Sequence, residues 1–197
     1  MPLSAPVERE HLHTRRIECR GYFRADGLWD VEGHIVDTKT YGHRSGDLRV
    51  LAADEPVHEM WIRMTIDETY LIHDMEAASD HTPYFACATV TPNFKRLIGV
   101  RIGKGFRRAV QERLGGRQGC VHLVELLGPV ATVAFQTIHN ERAQKLLADH
   151  RAKSGKPPLR QRQPGEKVAV IDNCYAWASD GEAVRRNYPD LYTGNKS

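Results

Sequence analysis

Between Val57 and Asp67 the chain alternates. His58, Met60, Ile62, Met64 and Ile66 fall on one parity, and Glu59, Arg63, Thr65 and Asp67 on the other. Successive strand side chains point to opposite faces, so this stretch is a strand with one buried and one wet face. Asp67-Glu68-Thr69 supplies a turn, and Tyr70–Ala77 follows as the antiparallel partner. Such a hairpin needs further strands beside it and a layer over its apolar face. The strands precede it. Ile17 to Arg24 ends at the turn Ala25-Asp26-Gly27, and Leu28 to Tyr41 alternates with Trp29, Val31, Gly33 and Ile35 on one parity. Leu48–Ala52 is a further short strand. Asp30, Glu32, Asp37 and Lys39 are assigned to a solvated strand face.

The covering layer follows. Thr91-Pro92-Asn93 offers helix-start chemistry ahead of Phe94, Leu97 and Ile98. Gly103 to Leu114 reads as a helix with Phe106, Ala109, Val110 and Leu114 on one stripe, closed by Gly115-Gly116. A longer helical pattern runs from about Cys120 to about Ala152, and Pro129 is expected to kink or divide it. The expected fold is α+β: an antiparallel β-meander followed by helices packed on one face.

Around this domain, residues 15–152, the composition changes. Residues 1–14 read as a flexible arm, and residues 153–167 (KSGKPPLRQRQPGEK) as a basic Pro/Gly linker. Residues 168–197 read as a C-terminal tail that folds back on the core. No uninterrupted apolar leader is visible at the N-terminus, and the most apolar region, Val121 to Ile138, is broken by His122, Glu125 and Gln136. The expectation is a cytoplasmic protein with no membrane partner. With a formal net charge of +3, nucleic acid is not an expected partner either, while a homo-oligomer is compatible with the chain. Four cysteines in 197 residues are too sparse for a disulfide scaffold and, in a reducing compartment, are buried, metal-bound or reactive.

The chemistry-bearing residues are few. No GxxxxGK[ST], GxGxxG after a strand, GxSxG or HExxH occurs. His58 opens the best strand on its apolar face, Cys87 follows the hairpin, and Cys120 and His122 stand at the start of the long helix. Imidazole and thiolate are the donors zinc and iron prefer. Taken singly, a cysteine is a small hydrophobe and a histidine is capped by a carbonyl; taken together, the four are candidate metal ligands. Residues two apart on a helix point to nearly opposite sides, so Cys120 and His122 can share a metal only if Cys120 lies in the turn before the helix. Asp74 and Glu76 share a strand parity. Asp74 is the candidate general base, and Glu76 can orient a ligating histidine or simply face solvent. Cys174 is a candidate nucleophile or further ligand.

Two resemblances extend this reading. Residues 26–33 (DGLWDVEG), 55–61 (EPVHEMW), 119–123 (GCVHL) and 126–131 (LLGPVA), with Cys174-Tyr175-Ala176 and Tyr188-Pro189, resemble the bacterial domain-of-unknown-function family 2889. That resemblance implies a setting among enzymes that break down aromatic and lipid-like compounds, and no particular activity. More distantly, Val57 to Ile138 resembles the iron–sulfur scaffold proteins of the IscU and NifU type, which implies an IscU/NifU-like core. In that likeness His58 takes the place of the first scaffold cysteine, Met60 that of the aspartate, Cys87 that of the second cysteine, and Cys120 or His122 that of the last His-Cys pair. The loss of a thiolate and of the aspartate implies a single zinc or iron ion rather than a labile iron–sulfur cluster.

The expected function is a small metal-dependent hydrolase or lyase of bacterial aromatic or acyl catabolism. Its metal would polarise a carbonyl or activate water, hydrolysing or decarboxylating a small-molecule keto acid or ester. The alternative is a metal- or iron–sulfur-binding accessory protein that docks on a larger catabolic enzyme.

Overall fold

A computed structural model describes residues 3–47, 49–168 and 170–194. They fall into two compact units that divide after Ser154. The first unit opens with strands β1 (His13–Phe23) and β2 (Trp29–Lys39). The short β3 (His43–Ser45) and β4 (Arg49–Leu51) follow, then β5 (Pro56–Ile66) and β6 (Ile72–His81). The sheet order is β1-β2-β5-β6, every neighbour antiparallel, while β3 and β4 pair as a separate ribbon in the β2–β5 connection. The expected α+β meander is thus present. Leu48, at the start of the expected strand 48–52, lies outside the described residues; Arg49–Leu51 forms β4.

Alternation decides which face is covered. Trp29, Val31 and Ile35 of β2 and Met60, Ile62, Met64 and Ile66 of β5 are buried together on one face. The opposite face is polar: Arg63 bridges Glu32 (2.8 Å) and Glu76 (3.2 Å) across three strands. The turn after β5 is held by Asp67, whose Oδ1 accepts from the backbone N–H groups of Thr69 (2.7 Å) and Leu71 (3.1 Å).

The helical layer departs from expectation in three places. The segment Phe85–Leu97 is 3₁₀ helix with Pro92 inside it, so the turn of helix begins well before Thr91. Gly103 and Gly105 take φ of 152° and 90°, values that keep them out of an α-helix, and α1 starts only at Phe106 (Phe106–Leu114). The long pattern does divide, but not at Pro129. Helix α2 (Val121–Ile138) carries Pro129 in its interior, and the break falls at His139-Asn140, where Asn140 Oδ1 caps α3 (Glu141–Lys153) by accepting from Ala143 N at 2.9 Å.

Helix α2 lies across β1, β2 and β5. It is the one described helix long and apolar enough to cross a bilayer, and its Leu123, Leu126, Leu127, Val130, Ala134 and Ile138 are buried. It comes close because the sheet is notched. A Cβ built on Gly33 would sit 2.5 Å from Val130 Cγ2, and one on Gly21 would collide with Thr137.

The second unit, from Gly155 on, has its own order. Asp190 accepts from Arg162 Nη2 and from Gly165 N, both at 2.7 Å, and these donors hold its carboxyl down at about 2. Trp177 and Tyr188 pack ring to ring at 5.9 Å beside the short helix α4 (Glu182–Asn187), whose Val184 is buried. Of the basic segment 153–167, Lys153 ends α3 and Ser154 caps it, while the residues from Gly155 on belong to this unit.

Candidate functional site

The polar centre of the first unit grows from one row across the sheet. Arg15 of β1 is the register partner of Asp37 of β2, and Asp37 is the register partner of His58 of β5. All three continue the parity that α2 covers. The ladder between β2 and β5 slips immediately after Asp37, between Asp37 and Thr38. This is the kind of irregularity that re-aims side chains beside a site.

Asp37 is 1% exposed. A buried carboxylate must be paired, and this one is saturated. Arg15 donates to both oxygens, from Nε and Nη2 at 2.8 Å each, in a bidentate fork. His13 Nε2 lies 3.3 Å from Oδ1 and His58 Nδ1 lies 3.1 Å from Oδ2. Burial pushes the Asp37 carboxyl up, but Arg15, joined by His58 and His13, outweighs it and holds the group below the usual carboxylate value. The same contact holds the Arg15 guanidinium firmly charged. The free Nη1 of Arg15 donates to Glu125 of α2 at 2.9 Å, which ties the helix to the row.

An ionised carboxylate only accepts, so His58 Nδ1 carries the proton and its Nε2 presents a lone pair. That ring faces His122 with centroids 3.8 Å apart and planes inclined 33°. Burial, followed by the neighbouring His122, pushes the His58 imidazole below its ordinary value against the pull of Asp37. Cys120 is the N-cap residue of α2, in extended backbone, which meets the condition that it precede the helix. Its Sγ lies 3.8 Å from His122 Nδ1 and 3.9 Å from Met60 Sδ. Burial raises the Cys120 thiol, yet His122 and the backbone N–H groups of Leu123 and His122 more than offset it, and the thiol sits below its ordinary value. Among the described residues, Asp37, His58 and His122 form the group whose ligand atoms all lie within 4.8 Å of one another.

The sequence candidates separate accordingly. His58 and His122 come together beneath the α2 N-terminus, while Cys120 adjoins His122 and Met60 but lies outside the 4.8 Å group. Cys87 lies in the 3₁₀ segment, half-buried, outside the 4.8 Å group. Asp74 is not brought to the cluster. Its register partner is Thr65 on the polar parity of β5, seven residues from His58, roughly 23 Å along an extended strand and on the opposite face. Its Oδ1 accepts from the next residue's N–H, Met75 N, at 2.8 Å. Glu76 is spent on Arg63, and Cys174 is exposed in the second unit.

Asp37 and Arg15 are the residues of this candidate site that the sequence reading missed. The signal was present. Asp37 shares the parity of Trp29, Val31, Gly33 and Ile35, so the strand that buries those four buries the carboxylate too.

The donor set suits a borderline metal. The two imidazoles of His58 and His122 are zinc and iron donors, and the Cys120 thiol beside His122 is the further donor that a three-ligand centre would have to draw in. Asp37, forked by Arg15, is placed to orient His58 instead of ligating, as carboxylates behind metal-bound histidines do. Among curated proteins and among solved structures nothing matches the chain. A family model does match, over residues 13–136, and it covers the sheet, α1, and α2 nearly to its end. This chain therefore belongs to the family described as Protein of unknown function (DUF2889).

Proposed function

We propose that the first unit is a small metal-dependent enzyme whose single zinc or iron ion is held by His58 Nε2, His122 and Cys120. The observation that carries this reading is the buried Asp37–His58 bond, which fixes the tautomer and leaves Nε2 unprotonated on a ring that lies against His122. Arg15 neutralises Asp37, and through Glu125 it holds the α2 terminus, with Cys120 and His122, over the strand ends. When bound, the metal supplies Lewis acidity, polarising a carbonyl or lowering the pKa of a water. The chain's own part is to hold one donor on β5 against two at the N-cap and first turn of α2. The substrate class this reading favours is a small aromatic or acyl keto acid or ester. The likeness to iron–sulfur scaffolds is supported by the same placement, a strand-start donor facing donors at a helix N-terminus.

Cobalt(II) titration of metal-free protein tests it. A stoichiometric visible spectrum with a thiolate charge-transfer band is expected, and Cys120→Ser should lose that band. Protein that takes up no cobalt, or whose spectrum ignores Cys120, rules the centre out. Zinc- and iron-loaded protein is then assayed on aromatic and acyl esters and keto acids; no turnover on any of them rejects the enzymatic part of the reading.

A further inference from the structure

The two edges of the four-stranded sheet are unlike. The outer edge of β6 is taken up at its start: Ile72 N donates to Val100 O (2.9 Å), Gly99 N donates to Ile72 O (2.8 Å), and Leu71 bridges to Arg101. The β5–β6 ladder also slips twice, between Glu59 and Met60 and between Thr65 and Ile66. β1 has none of these protections. It runs eleven residues in unbroken register with β2, from His13 opposite Lys39 to Phe23 opposite Trp29. It contains no proline and no bulge, and among the described residues no strand pairs with its other side. Ile17 and Tyr22 are exposed on it. A long, flat, open edge of this kind is a template for a further strand.

We propose that β1 is a dimerisation edge, at which two copies of this chain pair antiparallel about a two-fold axis at Cys19. The charge pattern of the strand selects this occupant and this register. Directly opposed residues of an antiparallel pair share a face, so register partners must share parity. With Cys19 opposite the second copy's Cys19, Glu18 stands opposite the second copy's Arg20, and by symmetry Arg20 stands opposite Glu18. Arg16 then faces the second copy's Tyr22, a cation over a phenol ring. Every charged side chain on the polar face of the strand acquires a complementary neighbour, twice over, as an isologous interface requires. Within one chain Arg20 Nη2 already reaches Glu18 at 2.7 Å, so these two side chains are suited to pair with each other. On the other face Ile17 comes opposite the second copy's Gly21. Arg15 comes opposite its Phe23, beside the flank of the guanidinium that holds Asp37. The product is a continuous eight-stranded sheet with a candidate metal centre in each half.

Sedimentation across a concentration series is expected to show a monomer–dimer equilibrium. Glu18→Arg places like charges opposite Arg20 twice and should weaken the dimer roughly tenfold or more. The double variant Glu18→Arg/Arg20→Glu should recover it. A short bis-maleimide should cross-link the dimer in a Cys87→Ser/Cys174→Ser background and fail when Cys19→Ser is added. This readout does not depend on Glu18→Arg folding, which circular dichroism checks. A chain that stays monomeric throughout, a dimer indifferent to Glu18→Arg, or cross-linking that survives Cys19→Ser would overturn the proposal.

Discussion

Asp37 shows how one residue sets the chemistry of its neighbours. Its carboxylate is buried, so its hydrogen bonds must be complete, and their completion dictates which nitrogen of His58 is protonated. Asp37→Asn keeps the shape but withdraws the charge from Arg15 and turns an acceptor into a donor. We expect a loss of roughly 2–3 kcal/mol in urea unfolding. Metal affinity should fall about 10–100-fold, as for other carboxylates behind ligating histidines. An unchanged cobalt affinity would show that Asp37 does not orient His58. The titrations point the same way. Asp37 is lowered in the folded protein, so its stabilisation is full above about pH 4 and is lost as pH falls through the folded value. His58 is lowered too, so below its unfolded value near 6.5 the unfolded chain takes up the proton more readily and stability drops with pH. Metal-free protein should therefore lose stability steadily from about pH 6.5 downward, and His58→Gln should flatten the upper part of that slope. Urea midpoints measured at a series of pH values decide it; equal slopes would remove His58 as the cause.

At the scale of elements, the seating of α2 governs the site, because Cys120 and His122 move with it. The seat is cut by Gly33, which admits Leu126 and Val130. Strand propensity alone says that Gly33→Val strengthens β2. Packing says the reverse, since the first added carbon already meets Val130 at 2.5 Å. Overpacking wins by about 1–3 kcal/mol, and the displaced helix should also weaken cobalt binding. Gly128 is the contrasting case. A Cβ there meets nothing within 4 Å, so Gly128→Ala should stabilise by about 0.5–1 kcal/mol through helix propensity. Thermal unfolding of the two variants checks the opposite signs. The misplaced helix boundaries have local causes. Asn140 supplies a cap that outcompetes continuation of the helix, whereas Pro129 forgoes a single intrahelical bond inside a helix secured by its buried side.

At the scale of the molecule, every residue of the candidate centre lies in the first unit, and the second has its own buried Val184 and ion pairs. A chain truncated after Ser154 should fold cooperatively and bind cobalt with unchanged stoichiometry and spectrum. Loss of the cobalt spectrum in that truncated chain would show that the second unit contributes to the centre. The same division explains why Cys174 entered the list of candidates. Sequence reading ranks a cysteine by residue type, and only the contact pattern assigns it to a separate unit.

Period and parity by themselves determined the meander, its antiparallel sense, its buried face and the layer of helices above it, because those follow from alternation every two residues and from turn chemistry. They also made His58, Cys120 and His122 visible as donors. The tertiary structure decided the rest. That Asp37 is buried was latent in its parity, but that it is paired depends on Arg15, 22 residues away, and His58, 21 residues away, arriving in register. Likewise Asp74 is a reasonable base by residue type and is removed from the cluster only by the face and the length of its strand. Local spacing constrains which side of an element a group occupies. Long-range register, set by the whole sheet, determines which groups meet.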